Sequence, residues 1–121
     1  MVLATNIAET SITIPGVRYV IDSGLVKEKV FSPLTNIETL QVLPISQSSS
    51  LQRAGRAGRE APGECYRLYT REAFQELDTM PVAEIHRTEL SGAVLQLYAM
   101  HLDPFTFDWI DPPNQALLQE A

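Results

Sequence analysis

A single cysteine, Cys65, occurs in this chain of 121 residues. That excludes an internal disulfide framework and a thiolate metal cluster, and it makes a reducing, intracellular setting the default expectation. The two histidines, His86 and His101, stand apart without HExxH or other ligand spacing, so no metal site is expected. The apolar runs are far too short to span a bilayer, and no charged-then-apolar signal segment opens the chain. A GxxxxGK loop is missing as well, so the chain does not cradle a triphosphate on a glycine-rich loop of its own. Positive charge is scarce in one half. Residues 72–121 hold only Arg87 against 9 acidic side chains, a balance of −8, whereas residues 1–71 hold 8 basic against 6 acidic, a balance of +2. The overall charge of −6 speaks against a nucleic-acid binder, but its distribution matters more than its total. Five of the nine basic residues fall between Arg53 and Arg71, and the acidic C-terminal block reads as a solvated surface.

What is present is 45% hydrophobic, enough for a core and too much for a disordered chain. Val2–Ala4 reads as the end of a strand, followed by a polar loop or helical turn over residues 5–11. Val17–Asp22 is rich in β-branched and aromatic residues and stops at Ser23-Gly24, so it predicts a strand. Val26–Phe31 alternates apolar and charged residues, Ile37–Leu43 is mostly apolar, and Ser32-Pro33-Leu34-Thr35-Asn36 supplies a turn. Together they predict a long β-hairpin over roughly residues 25–44. Ser46–Ser50 offers several N-caps for a helix containing Leu51–Arg59, Gly63–Tyr69 predicts a further strand, and Arg71–Leu77 predicts a short helix capped by Thr70. Beyond Met80-Pro81, apolar residues from Ile85 to Leu102 fall near a helical period with Thr88 or Ser91 as cap, and Asn114–Ala121 starts a second helix. The pattern is a β-rich α/β piece to about residue 78, then the opening of a helical module.

The densest chemistry lies in Gln52-Arg53-Ala54-Gly55-Arg56-Ala57-Gly58-Arg59, with three arginines at a spacing of three and two interleaved glycines. A guanidinium keeps its charge and presents a planar fork of donors that matches phosphate oxygens. Aimed at the charge developing on a transferred phosphoryl group, it is the arginine finger of nucleoside triphosphatases. Gly55 and Gly58 would each cost about 1 kcal/mol against alanine inside a helix, so a close backbone approach to a strand or a ligand is expected there. Taken alone, the octet also reads as a solvated basic helix.

The octet resembles motif VI of DEAH-box ATP-dependent RNA helicases of superfamily 2, and Ala4-Thr5-Asn6-Ile7-Ala8-Glu9-Thr10-Ser11 resembles their motif V. The spacing between the two, the Tyr19–Gly24 and Gly63–Tyr69 segments, and Glu84-Ile85-His86-Arg87 with Leu90 leading to Asp111-Pro112-Pro113 also match that family. The resemblance implies an α/β fold. Residues 1–78 would form the C-terminal part of the second RecA-like helicase domain, with its long β-hairpin, and residues 79–121 the start of a helical winged-helix domain. It implies a fragment of an enzyme that hydrolyses ATP with Mg²⁺ to move on and remodel RNA, the metal ligands and general base lying in the first RecA-like domain. Gln52, Arg56 and Arg59 would be catalytic and face the triphosphate, with Gln52 placing the attacking water or γ-phosphate and the arginines acting as fingers. Ser11 would sense nucleotide state. Thr5 and Asn6 would contact the RNA backbone, where hydroxyl and amide donors suit phosphate oxygens. Arg53, one step off that face, would make a structural ion pair, with Glu9 as a structural partner for an arginine. Expected partners are RNA, the first RecA-like domain and helicase activator proteins, without a membrane. The expected location is intracellular, with the nucleus favoured by the resemblance over the cytoplasm.

Three departures stand out. Pro15 occupies a place where many members carry an aspartate that reaches the ribose, Ala83 replaces a common proline, and the P-loop, DEAH box and coupling motif are absent. Alternatives remain at this stage. Thr5 and Ser11 also read as helix-capping hydroxyls. Lys27 and Lys29 are either RNA contacts or guards of a strand edge. Phe105, Phe107 and Trp109 are expected to pack in a core, and Asp22 to be a turn residue at a strand end. A truncated or degenerate helicase serving as a non-catalytic platform for RNA or proteins is the competing reading of the whole chain.

Overall fold

The computed structural model describes residues 1–32 and 34–121, with Glu120 described by its backbone only. Pro33, part of the expected hairpin turn, lies outside the described residues. The chain is mixed α/β and divides into two compact units, residues 1–27 with 42–81 and residues 28–41 with 82–121. Among the described residues, no helix is long and apolar enough to cross a membrane.

In the first unit, β1 (Tyr19–Asp22) and β4 (Glu64–Arg67) pair in parallel, with Tyr19 opposite Glu64 and Asp22 opposite Arg67. Backbone bonds from Glu64 N to Arg18 O (2.9 Å) and Leu68 N to Asp22 O (2.9 Å) extend the ladder at both ends. The crossover between these strands contains the hairpin strands β2 (Leu25–Ser32) and β3 (Ile37–Pro44), which form their own two-stranded sheet, and helix α2 (Gln47–Gly55). The hairpin turn closes with Asn36 N donating to Ser32 O (2.8 Å) and Asn36 in the left-handed region at φ 55°. Asparagine tolerates that conformation better than most residues.

Helix α2 begins where the serine cluster supplies a cap. Ser46 Oγ accepts from Ser49 N at 3.1 Å, and the amides of Gln47 and Ser48 donate to Asp78 O and Thr79 O at 2.7 and 3.1 Å. The donors that a helix start leaves without intrahelical partners are thereby met. The helix ends earlier than the sequence predicts. Arg56 N bonds Arg53 O and Ala57 N bonds Ala54 O, so the last turn tightens to i→i−3 spacing and the chain leaves the helix before Arg59. Gly55 and Gly58 therefore lie outside the helix interior, and a Cβ at either would meet nothing within 4 Å. The close backbone approach expected of them occurs at Gly63, where a Cβ would collide with the carbonyl oxygens of Ala57 and Arg18. Helix α3 (Arg71–Glu76) follows as predicted, with Thr70 Oγ1 accepting from Ala73 N at 3.0 Å.

Two strand expectations need correction. Val2–Ala4 is exposed and pairs with no strand among the described residues. β1 starts at Tyr19, two residues later than the composition suggested.

In the second unit, Phe31 packs with Leu90, Val94, Leu117 and Leu118, and Ile85 and Trp109 lie against this cluster. The helical period from Ile85 to Leu102 is not one helix. A 3₁₀ turn (Glu84–His86) is separated from α4 (Ser91–Ala99), because Thr88 Oγ1 donates back to Glu84 O (2.9 Å) and the Glu89 carboxylate captures both the amide and the hydroxyl of Ser91 (2.6 Å each). Neither Thr88 nor Ser91 serves as the expected cap. α4 stops at His101, whose φ is 58°, ahead of Pro104. α5 (Gln115–Glu120) is capped by Asn114 Oδ1, which accepts from Ala116 N at 2.9 Å. Arg87 clips the hairpin segment of this unit, donating from Nη1 to Lys29 O (3.2 Å) while its carbonyl accepts from Phe31 N (2.8 Å). Lys29 pairs with Glu38 of the facing strand at 3.8 Å, an exposed pair of small energetic weight. Trp109 donates its indole N–H to Pro104 O (2.9 Å) and meets the Phe107 ring edge-on at 4.9 Å, but Phe105 and Phe107 are both exposed rather than packed in a core.

Candidate functional site

The short helix α1 (Ile7–Thr10) follows Thr5 and Asn6 and ends at Ser11. Its bonds are backbone ones, with Ala8 N to Thr5 O (3.1 Å), Glu9 N to Asn6 O (3.0 Å) and Ser11 N to Ile7 O (3.0 Å). Asn6 makes no side-chain capping bond, and Thr5, Asn6 and Ser11 are all exposed. Three polar side chains thus flank one helical turn with their polar groups toward solvent.

That turn is tied to α2 by Arg53. Its Nε donates to Glu9 Oε1 at 2.8 Å, Nη1 to Asp22 Oδ1 at 2.8 Å and Nη2 to Leu25 O at 3.0 Å. The structural ion pair expected of Arg53 and the structural role expected of Glu9 are both in place. Burial alone would lower the Arg53 pKa, but the hydrogen bonds and charges of Glu9 and Asp22 outweigh it and raise the value. The guanidinium stays charged.

Asp22 exceeds its expected part. It does make the strand-end turn, accepting from Gly24 N at 2.9 Å, but its side chain is fully enclosed and also accepts from Arg53 and from Tyr69 OH (2.8 Å). Tyr69 OH lies 2.6 Å from Ser50 Oγ on the buried side of α2. Burial, followed by the bond to Asp22, pushes the Tyr69 phenol above its ordinary range despite the opposing bond to Ser50. Gly24 makes room for this ring. It sits at φ 76°, and a Cβ there would come within 2.6 Å of the ring carbon Cδ1 of Tyr69.

Gln52, Arg56 and Arg59 lie on α2, at its C-cap and in the turn beyond it. Gln52 and Arg59 are exposed. Arg59 Nη1 donates to Thr13 Oγ1 at 2.8 Å, and the neighbouring Glu60 Oε2 accepts from Gly16 N at 3.2 Å. The loop after α1 is thereby fastened to the turn after α2. Arg56 is partly buried, and its Nε is enclosed without a hydrogen-bond partner among the described residues. Among the described residues, no group of three or more His, Cys, Asp or Glu is placed to hold a metal ion.

Sequence reasoning missed Asp22 as a hub, along with Tyr69, Ser50, Thr13 and Glu60. The signal for Asp22 was present, since Val20 and Asp22 share one face of β1 by period-two alternation, and that face is turned inward. The Thr13 and Glu60 contacts join residues 46 and 44 apart and had no local signature.

Residues 1–61 match the family described as "Helicase conserved C-terminal domain". The chain belongs to this helicase family. Its likeness within the family is to DEAH-box proteins: it is 49% identical over its whole length to the pre-mRNA-splicing factor ATP-dependent RNA helicase DEAH10 of Arabidopsis thaliana, and 51% identical over 93% of its length to the pre-mRNA-splicing factor ATP-dependent RNA helicase prp22 of Schizosaccharomyces pombe. Among solved structures it is similar to the DEAH/RHA helicase HrpB of Escherichia coli, with a TM-score of 0.92 and 38% identity over 97% of the chain. The chain spans 17%, 10% and 15% of these three proteins respectively.

Proposed function

We propose that this chain supplies one wall of an ATP-hydrolysing site and part of an RNA track within a longer DEAH-box RNA helicase. The observation that carries the reading is the exposure of Gln52 and Arg59, which flank the half-buried Arg56 along the chain. A fork of guanidinium donors suits a triphosphate oxygen. Gln52 would orient the attacking water or the γ-phosphate. Arg56 and Arg59 would stabilise the charge that spreads over the transferred phosphoryl oxygens, with Thr13 holding the Arg59 side chain in place beforehand. Ser11 would respond to nucleotide state, and Thr5 and Asn6 would donate to the RNA backbone.

A Mg²⁺ ion bound with the nucleotide would supply neutralisation of the phosphate charge. Its ligands and the phosphate-cradling loop would come from a first RecA-like domain, because this sequence holds neither. The isolated 121 residues would accordingly hydrolyse no ATP. Residues 1–78 would be the C-terminal part of the second RecA-like domain, and 79–121 would begin a winged-helix domain. Support for incompleteness comes from the sheet: Tyr19, Ile21, Tyr66 and Leu68 lie exposed on β1, β4 and just beyond, although parallel sheets are ordinarily covered on both faces. The names of the splicing-factor relatives favour a nuclear setting and a part in RNA processing, with activator proteins as further partners. A non-catalytic platform would not require Gln52, Arg56 and Arg59, and their presence together favours the enzyme.

The test is ATP hydrolysis by the longer helicase chain with and without single-stranded RNA. Hydrolysis stimulated by RNA is expected. A chain that binds RNA and hydrolyses nothing would contradict the enzyme and leave the platform.

A further inference from the structure

Arg53 stands between the residues assigned to catalysis, one position after Gln52 and three before Arg56, yet none of its bonds goes toward a ligand. Three different nitrogens reach three different segments. Glu9 belongs to α1, which Thr5, Asn6 and Ser11 flank. Asp22 ends β1, and Leu25 is the first residue of the hairpin strand β2. The side chains of Arg53, Glu9 and Asp22 are 15%, 12% and 0% exposed, so water competes little for these bonds. A guanidinium is the one cationic group whose planar fork can hold three acceptors in fixed directions at once, which an ammonium cannot reproduce.

We infer that Arg53 is a positioning residue that couples the nucleotide-facing end of α2 to the RNA-facing turn α1 and to the root of the hairpin. The inference rests on the function proposed above. A ligand that draws the C-terminal turn of α2 toward itself shifts the helix carrying Arg53, and its bonds to Glu9 and to Leu25 O pass that shift to α1 and β2. The same linkage runs in reverse. RNA that reorders α1 alters the placement of α2, and the two effects on binding must be equal in free energy. Glu9 is the branch that reaches the RNA side. Asp22, held also by Tyr69 and Gly24, is the fixed point against which the other two branches act. A purely structural clamp would hold the same bonds but leave the two ligands indifferent to each other.

The experiment uses the longer helicase chain, a fluorescent single-stranded RNA and anisotropy titrations, without nucleotide and with a saturating non-hydrolysable ATP analogue. The ratio of the two RNA dissociation constants reads the coupling. In the unaltered protein the ratio departs from one by about 5-fold to 150-fold, the usual span for coupled sites. Glu9→Ala and Arg53→Lys bring it to within about twofold of one, while RNA affinity without nucleotide stays within about threefold of the starting value. Glu9→Ala keeps the Asp22 and Leu25 bonds, so it carries the test should Arg53→Lys fail to fold. An unchanged ratio in Glu9→Ala, or a ratio of one in the unaltered protein, overturns the inference. Because the analogue is never hydrolysed, the ratio is independent of turnover. A chain that hydrolyses no ATP yet shows a ratio that Glu9→Ala abolishes refutes the hydrolase reading and supports the coupling.

Discussion

Arg59→Ala in the longer helicase chain is expected to lower RNA-stimulated ATP hydrolysis by about 10³-fold to 10⁵-fold, the range measured for loss of an arginine finger. Arg59 is exposed and, among the described residues, its side chain bonds Thr13 Oγ1 alone, so its removal takes away no buried packing and leaves no enclosed charge behind. The folded state should therefore be little changed, within about 0.5 kcal/mol as for most surface substitutions. Arg56→Ala is expected to give a loss of activity of similar size with a different stability signature. Arg56 is half-buried, so its truncation also removes the packing of its stem. Single-turnover hydrolysis and thermal melting on the same samples separate the two effects. Near-normal turnover in either variant would contradict the assignment.

The second large effect is on stability. Asp22→Ala removes a carboxylate whose side chain is fully enclosed and which accepts from Arg53, Tyr69 and the Gly24 amide. Breaking a buried pair by deleting one partner costs about 3–5 kcal/mol, and here Arg53 keeps only Glu9 and the Leu25 carbonyl while the Tyr69 hydroxyl and the Gly24 amide lose their acceptor. Against a typical domain stability of about 5–15 kcal/mol, that is about a fifth of the total or more. Tyr69→Phe deletes only the hydroxyl that bonds Asp22 and Ser50 and should cost about 1 kcal/mol. Urea unfolding of both variants in the longer chain checks the order. An Asp22→Ala loss no larger than that of Tyr69→Phe would show that the network around Arg53 is not a hub.

Local chemistry made the element plan legible. The hairpin, the Thr70-capped α3 and the Asn114-initiated α5 all rest on signals within a few residues, and each appears where expected. Helix α2 was legible at its start, where four serines compete to cap it, but its end depends on a tightened last turn and on Gly63 receiving the Ala57 carbonyl, a contact that no window of sequence contains. The helical period after Ile85 misled because Thr88 and Glu89 both bond backward or forward to backbone neighbours, which breaks the run that the apolar spacing implies. At the candidate site, the motifs pointed to Gln52, Arg56 and Arg59, and structural ion-pair roles could be given to Arg53 and Glu9 separately, but that these two bond each other came from the structure. Asp22 could be seen but not ranked, since a carboxylate at a strand end looks the same whether it caps a turn or anchors a guanidinium. The choice was made by burial, and burial follows from which way β1 faces.

The measurement closest to the central claim is a structure of the longer helicase chain bound to ADP, Mg²⁺, aluminium fluoride and single-stranded RNA. Arg56 and Arg59 nitrogens are expected at hydrogen-bond distance from the fluoride ligands that stand for the transferred phosphoryl oxygens, at about 2.7–3.1 Å. Both guanidinium groups directed to solvent or to RNA, with the aluminium fluoride held by other residues, would contradict the account.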